Sequence, residues 1–400
     1  MRSTDPARFI DIHILQSVPF SNLNRDDTNS VKTVQYGNAL RTRVSSQSWK
    51  RAGREAFEEL TGHRTLRTRR IGERVTRELV VKGWPDALAQ RAGAHVAAGS
   101  SIKFELGTDR EKKVITNRVL TNAMIYLPDP AVDELVALAE EHRAELEAAK
   151  DIKKTGDKSV LPKKRIEELL RARNAVINLF GRMLAEVDDA GVDGAVQVAH
   201  ALTTHRSDVE LDYFSAVDDI TDSWNDATGS GHMGNAEFSA GTFYRYATID
   251  LRDLAANIGP DPENQTAREL AEAFLSSFIT SLPQAKKNAT APHTIPDLVH
   301  VVVRSDRPLS YAAAFEKPVA ATAEGGYVQP SVRQLAAYAH AANTLLGQDR
   351  VLSAAWAGLP AGEITAADLT GLGQRKAAFD ALVRGAVESA LGGSPAEASE

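Results

Sequence analysis

The segment FIDIHILQ (residues 9–16) alternates along its length, with Ile10, Ile12 and Ile14 on one side and Phe9, Asp11, His13 and Leu15 on the other. This period of two predicts a half-buried strand. The polar run SNLNRDDTNS (21–30) predicts a loop, and VKTVQYGNALRTRV (31–44) a β-ribbon turning at Gly37 and Asn38. A helical period then takes over. With Ser45 or Ser46 as N-cap and Gly62 just past the C-terminus, Trp49, Ala52, Gly53, Ala56 and Leu60 fall on one stripe at spacings of three or four. Gln47, Lys50, Arg51 and Arg54 share another face, about 60° wide.

Residues 63–183 read as mostly helical and polar, with AVDELVALAEEHRAELEAAK (131–150) as one such helix, and their charge density and Gly and Pro breaks predict an inserted helical subdomain. Compact structure resumes at VDGAVQVAHALTTH (192–205). Residues 206–241 are acidic, rich in Gly towards their end and poor in apolar periodicity, and predict a projecting hairpin. Beyond them come a strand in TFYRYATIDL (242–251), a helix in TARELAEAFLSSFITSLP (266–283), a central strand in LVHVVVRS (298–305) and a helix beginning in RPLSYAAAFEKPV (307–319). The tail GGSPAEASE reads as disordered. Strands at 9–16, 242–251 and 298–305 with helices at 46–61 and 266–283 fit a split βαβ, or ferredoxin-like, core that carries two large insertions.

Charge adds an asymmetry to this pattern. The chain of 400 residues has a formal net charge of -6, yet residues 41–82 hold twelve Lys or Arg against five Glu, a balance of +7. A solvated helical face explains most charge runs, but one of this size on an acidic chain favours a polyanion partner. Its densest part is RTRVSSQSWKRAGRE (41–55), where Lys50, Arg51 and Arg54 lie in the first turns of a helix whose dipole and leading N–H groups also attract anions. Lys153, Lys154, Lys158, Lys163, Lys164 and Arg165 form a second basic cluster, which a solvated linker and helix start explains equally well. Cysteine is absent, so disulfides and thiolate metal sites are excluded. The opening MRSTDPARFIDIHIL lacks the apolar core of a signal peptide, and no stretch nears the roughly 18 apolar residues of a membrane span. A cytoplasmic protein without a membrane partner is expected.

Catalytic signatures are missing. There is no G-x-x-x-x-G-K-[ST], G-x-S-x-G or H-E-x-x-H motif, and the ten histidines are scattered. His13 has no second ligand at metal spacing. Asp26 and Asp27 could hold Mg²⁺ or act on a 2′-hydroxyl near bound RNA, but NRDDTN is also good loop-capping chemistry. Met183 and Met233 lie in Gly-bounded segments, where an apolar side chain can act as a wedge between bases.

The motifs FIDIHILQS, LNRDD, RTRVSSQSWKRA, GRM (181–183), VDGAVQVAHALTTH, ELDYFSAVDD (210–219), AEFSAGTFYRYATIDL and RPLSYAAAFEKPV…GGYVQPS together resemble the CasC-type backbone subunit of the type I-E CRISPR surveillance complex, Cascade. The similarity runs from the start to about residue 331 and is weakest over 63–175. It implies an α+β fold: an RNA-recognition-type (ferredoxin-like) palm (1–62, 184–205 and 242–390), an inserted helical fingers domain (63–183), a protruding thumb hairpin (206–241) and a disordered tail (391–400). It also implies a scaffold, without cofactor or catalysis, whose copies line up along a guide RNA (crRNA). That scaffold presents the guide to complementary target DNA beside large, small and guide-end-binding subunits, and a recruited helicase-nuclease cuts the DNA. Carried over by motif, guide contacts fall on Arg25, Lys32, Ser45, Gln47, Lys50 and Arg54, with Met183 and Ser215 beside a displaced base. Arg43 and Arg51, from the basic stretch, and Arg182, next to Met183, complete the candidate RNA-binding set; Lys163, Lys164 and Arg165 are candidates for target DNA. An RNA-cleaving relative using Asp26 or Asp27, and a generic single-strand RNA binder, are the competing functions.

Overall fold

A computed structural model describes residues 6–217, 230–359 and 366–392. The chain opens with β1 (Phe9–Ser21), the ribbon β2 (Thr33–Tyr36) and β3 (Ala39–Val44), and helix α1 (Ser46–Thr61). Next come β4 (Thr65–Thr68), α2 (Ile71–Val81), α3 (Asp86–Ala98), β5 (Phe104–Thr108), β6 (Val114–Thr121) and β7 (Ile125–Pro128). Four helices follow: α4 (Asp129–Glu141), α5 (Arg143–Ala148), α6 (Lys163–Arg171) and α7 (Ala175–Phe180). The chain continues with β8 (Val196–Val198), β9 (Ala201–Thr203), β10 (Glu210–Val217), β11 (Ser230–Asp250), α8 (Leu251–Ile258), α9 (Gln265–Thr280) and α10 (Lys287–Thr290). It closes with β12 (Leu298–Arg304), α11 (Val328–Leu346), β13 (Val351–Gly358), β14 (Gln374–Arg375) and α12 (Phe379–Leu391).

Two compact units result. One is Met1–Phe57 with Val196–Ala255 and Pro260–Glu400, the other Glu58–Ala195 with Ala256–Gly259. The insertion is therefore longer than the expected 63–183: Leu184, Val187 and Ala190, expected in the palm, are buried in the core of the second unit.

In the first unit the sheet runs β14-β13-β12-β1-β11-β9-β3-β2. Its inner strands β12-β1-β11-β9 are all antiparallel, with α1 in the connection from β1 to β9 and α9 in the connection from β11 to β12, which is the split βαβ topology of RNA-recognition-type palms. The first half of β11 pairs with β10 to form the hairpin expected as the thumb; its tip, 218–229, lies outside the described residues, as do the final residues 393–400 of the expected disordered tail. The helix expected to begin in 307–319 is reduced to a single 3-10 turn, Ala312–Phe315.

β1 differs from its expected half-buried form because both sides of the sheet are covered. Ile10, Ile12 and Ile14 face the side that carries α1, α9 and α12, while Leu15, Tyr244 and Tyr246 pack under Tyr311, Phe315 and the Val332, Leu335 and Ala339 side of α11. Asp11 and His13 are consequently fully buried. The Asp11 carboxylate accepts hydrogen bonds from Arg304 Nε at 3.0 Å, the Tyr246 hydroxyl at 2.9 Å and the Leu309 N–H at 2.9 Å, and burial still raises its pKa to about 6. The His13 ring stacks on Tyr311 with centroids 4.0 Å apart, and burial beside His300 and Arg304 pushes its pKa well below the ordinary value.

The second unit buries Ile71, Val75 and Leu79 of α2 against α3, α4 and α6. Besides the expected helices it holds two small sheets. β4 pairs with β7 and β5 with β6, both antiparallel. TLRT and FELGT carry too few apolar positions to announce a strand, and TLRT finds its partner only at 125–128, whereas FELGT pairs with the neighbouring β6.

Candidate nucleic-acid interface

The palm cannot bind RNA the way open RNA-recognition sheets do, by stacking bases on exposed sheet aromatics. Tyr244 and Tyr246 are buried under the covering layer. Exposed and half-buried cations gather instead around the start of α1, at the β2–β3 end of the sheet.

Three local devices build that place. The β2–β3 ribbon turns at Gly37 and Asn38, both with positive φ, and a side chain at Gly37 would run into the Glu316 carbonyl, so only glycine fits. In the loop before it, Asp26 Oδ1 accepts the N–H groups of Thr28 and Ser30, both at 2.9 Å, and the Thr28 hydroxyl at 2.8 Å; these bonds hold its carboxyl below the usual carboxylate range. That loop is tied on one side to β11, where Glu237 Oε2 accepts the Val31 N–H at 3.0 Å, and on the other to α1, where Asn24 Oδ1 accepts the Ser45 N–H at 2.8 Å. Ser45 then caps α1, its hydroxyl accepting the Ser48 N–H at 3.3 Å.

On this frame Arg25 is exposed and donates to Asn29 Oδ1 at 2.6 Å, while Lys32 and Arg43 sit on adjoining segments joined by the bond from Arg43 N–H to Lys32 O at 2.8 Å. Gln47 is exposed on the first turn of α1, and Lys50 Nζ reaches the Val196 carbonyl at 3.5 Å. Arg51 and Arg54 both lean on Glu55, at 2.8 and 3.7 Å, so the wheel's four-residue face is partly neutralised by its own neighbour. The packing stripe also rotates: Phe57 is buried, and Leu60, expected inside, is 61% exposed.

Two expected members of the basic set behave differently from surface cations. Arg41, part of the densest basic stretch, is fully buried and donates to the carbonyls of Thr203, Phe315 and Glu316. Arg182, expected to contact RNA, is buried in the second unit and spends its guanidinium on the carbonyls of Ala190, Tyr126, Ala172 and Arg171. This burial overturns the expected RNA contact: desolvation lowers the Arg182 pKa to about 10, and its four hydrogen bonds close a loop. The loop it closes presents Met183, which is 92% exposed. Lys163, Lys164 and Arg165 are exposed on the first turn of α6, where the helix dipole disfavours cations; Glu167 at 3.8 Å from Lys163 and Glu168 at 3.1 Å from Arg165 offset that in part. Ser215 is exposed on β10 just after Tyr213 and Phe214, opposite Met233, whose side chain lies outside the described residues.

Sequence reasoning missed His200. It sits between β8 and β9, its Nδ1 accepting the Ser46 N–H at 2.9 Å with Arg43 Nη1 3.3 Å away. No local signal marked it, because its partners Ser46 and Arg43 lie 154 and 157 positions away. Among the described residues no group of three or more His, Asp or Glu side chains could hold a metal ion, and no helix is long and apolar enough to cross a membrane.

Comparison with known proteins places these features in a family. The model of the CT1975-like protein family matches residues 10–385. A chain of a solved "CRISPR RNA-guided surveillance complex, pre-nicking" superposes with a TM-score of 0.84 at 43% identity, covering 96% of this chain and 100% of the other. A chain of a second "CRISPR RNA-guided surveillance complex" gives a TM-score of 0.75 at 37% identity, over 95% and 99% of the two chains. No curated protein matches the sequence significantly. The chain belongs to the CT1975-like protein family, as its resemblance to CasC-type backbone subunits anticipates.

Proposed function

We propose that this chain is a subunit of a cytoplasmic CRISPR surveillance complex that binds guide RNA along its phosphate backbone without catalysis, assembles head to tail with copies of itself and presents the guide to complementary DNA. Its partners would be the other Cascade subunits and the helicase-nuclease that cuts the target. The observation that carries the proposal is 43% identity to a chain of an RNA-guided surveillance complex over nearly the whole of both chains.

The chemistry supports it. Lys32, Arg43, Lys50 and Arg54 suit phosphates, whereas the sheet aromatics that could read bases are buried. Such a surface gives affinity without sequence preference, and sequence is left to base pairing. A head-to-tail contact that does not close on itself builds a filament, which suits a long guide. Met183 and the Ser215 strand are the proposed neighbours of a displaced base, and Lys163, Lys164 and Arg165 remain the proposed contacts to target DNA. Asp26 offers little for RNA cleavage, since its carboxylate already closes the loop.

Native mass spectrometry of the assembly purified from cells that express a repeat array tests the proposal. The expected species holds several copies of this chain on one repeat-derived RNA. A single copy carrying mixed cellular RNA would favour the generic binder instead.

A further inference from the structure

Two donors converge on one nitrogen of His200: the Ser46 N–H at 2.9 Å and the Arg43 guanidinium at 3.3 Å both meet Nδ1. A protonated Nδ1 would set N–H against N–H there, so this nitrogen carries the lone pair and the neutral ring bears its proton on Nε2. Partial desolvation, with Arg43 and Lys32 nearby, lowers the imidazole pKa and keeps it in this form. The leading N–H of α1 is thus already satisfied. What the position offers outward is the Nε2–H of an exposed ring, which meets no other group among the described residues. Arg43 and Lys32 flank it, on β3 and the loop before β2.

We infer that His200 is a further RNA-backbone contact, a neutral donor through Nε2–H to a phosphodiester oxygen of the strand held by Arg43 and Lys32. The inference rests on the guide-binding function proposed above and assigns His200 two separable tasks. Nδ1 seats the start of α1, and Nε2 binds the polymer. Because the ring is uncharged, its contact releases no counterion and adds affinity equally at every salt concentration, unlike a lysine or arginine contact.

Asn and Gln substitutions separate the two tasks, since an Asn side-chain oxygen can stand where Nδ1 does and a Gln amide where Nε2–H does. Binding of the full chain to a fluorescent single-stranded RNA is measured across a salt series, beside thermal unfolding and a Lys50→Ala/Arg54→Ala control. His200→Asn should keep the melting temperature and weaken RNA binding about ten- to a hundredfold, as the loss of one hydrogen bond to a charged group predicts, with the salt slope unchanged. His200→Gln should keep more of the affinity and lose more of the thermal stability. Wild-type affinity in His200→Asn, or a salt slope reduced by about 0.7, would overturn the inference while the control's loss of binding leaves the guide-binding function standing. If the control also binds as wild type, the guide-binding function falls, and the inference with it.

Discussion

The arginines buried in the palm and the cations at the start of α1 are chemically alike and do opposite work. Arg41, Arg245 and Arg304 are almost wholly buried, and each is answered from within. Arg41 bonds three carbonyls, Arg304 bonds Asp11, Tyr311 and Asn343, and Arg245 bonds Gln16 and the Phe278 carbonyl while lying 3.8 Å over the Trp49 ring. Arg245 has its pKa lowered to about 9 by burial alone. Arg25, Lys32, Arg43 and Lys50, by contrast, keep access to solvent. A basic stretch therefore states how much positive charge is present and not how much is offered. In 41–55 Arg41 is committed inside the fold, and charge that reaches solvent begins only at Arg43.

The contrast would break first at Arg304. Replacing it by Met strands the Asp11 carboxylate in the core and should cost about 3–5 kcal/mol in urea unfolding, with Arg304→Met/Asp11→Asn recovering part of the loss. Lys32→Ala, measured alongside, should stay within about 0.5 kcal/mol of the parent. Equal losses would mean that the two groups of cations are not different in kind.

A smaller effect sharpens the picture of the buried layer. The His300 pKa is lowered to about 4 and that of His13 is also lowered, whereas Asp11 is raised to about 6. Between about pH 4 and 6.5 the unfolded chain binds protons on both histidines that the folded chain refuses, and the folded chain keeps one on Asp11 that the unfolded chain releases. The histidines outweigh the aspartate, so stability should fall on acidification through this window, by about 1.4 kcal/mol per pH unit for each net proton. His300→Asn, which can still donate to the Ala355 carbonyl that His300 Nδ1–H reaches at 3.0 Å, should flatten that slope by about one proton. An unchanged slope would remove His300 from the account.

The α1 cap was legible because Ser45 and the residues it serves are neighbours in sequence, and the Gly37–Asn38 turn because its chemistry is local. The fates of Arg41 and Arg182 were not legible. The carbonyl of Phe315 lies 274 positions from Arg41, and no local pattern marks an arginine that will be neutralised from so far away. Asp11 and His13 misled for a related reason: alternation announces two faces of a strand, but whether the second face meets water is decided by residues 309–339. His200 was hidden because its role comes from Ser46 and Arg43, on the far side of the inserted unit in sequence.

The central claim is that the α1 surface binds RNA through phosphates, and the salt dependence of RNA binding by Lys50→Ala/Arg54→Ala tests it most directly. The account predicts weaker binding to every sequence tried and a slope of log affinity against log salt that is shallower by about 1.4, roughly 0.7 for each lost cation on a single strand. Wild-type affinity with an unchanged slope would contradict it.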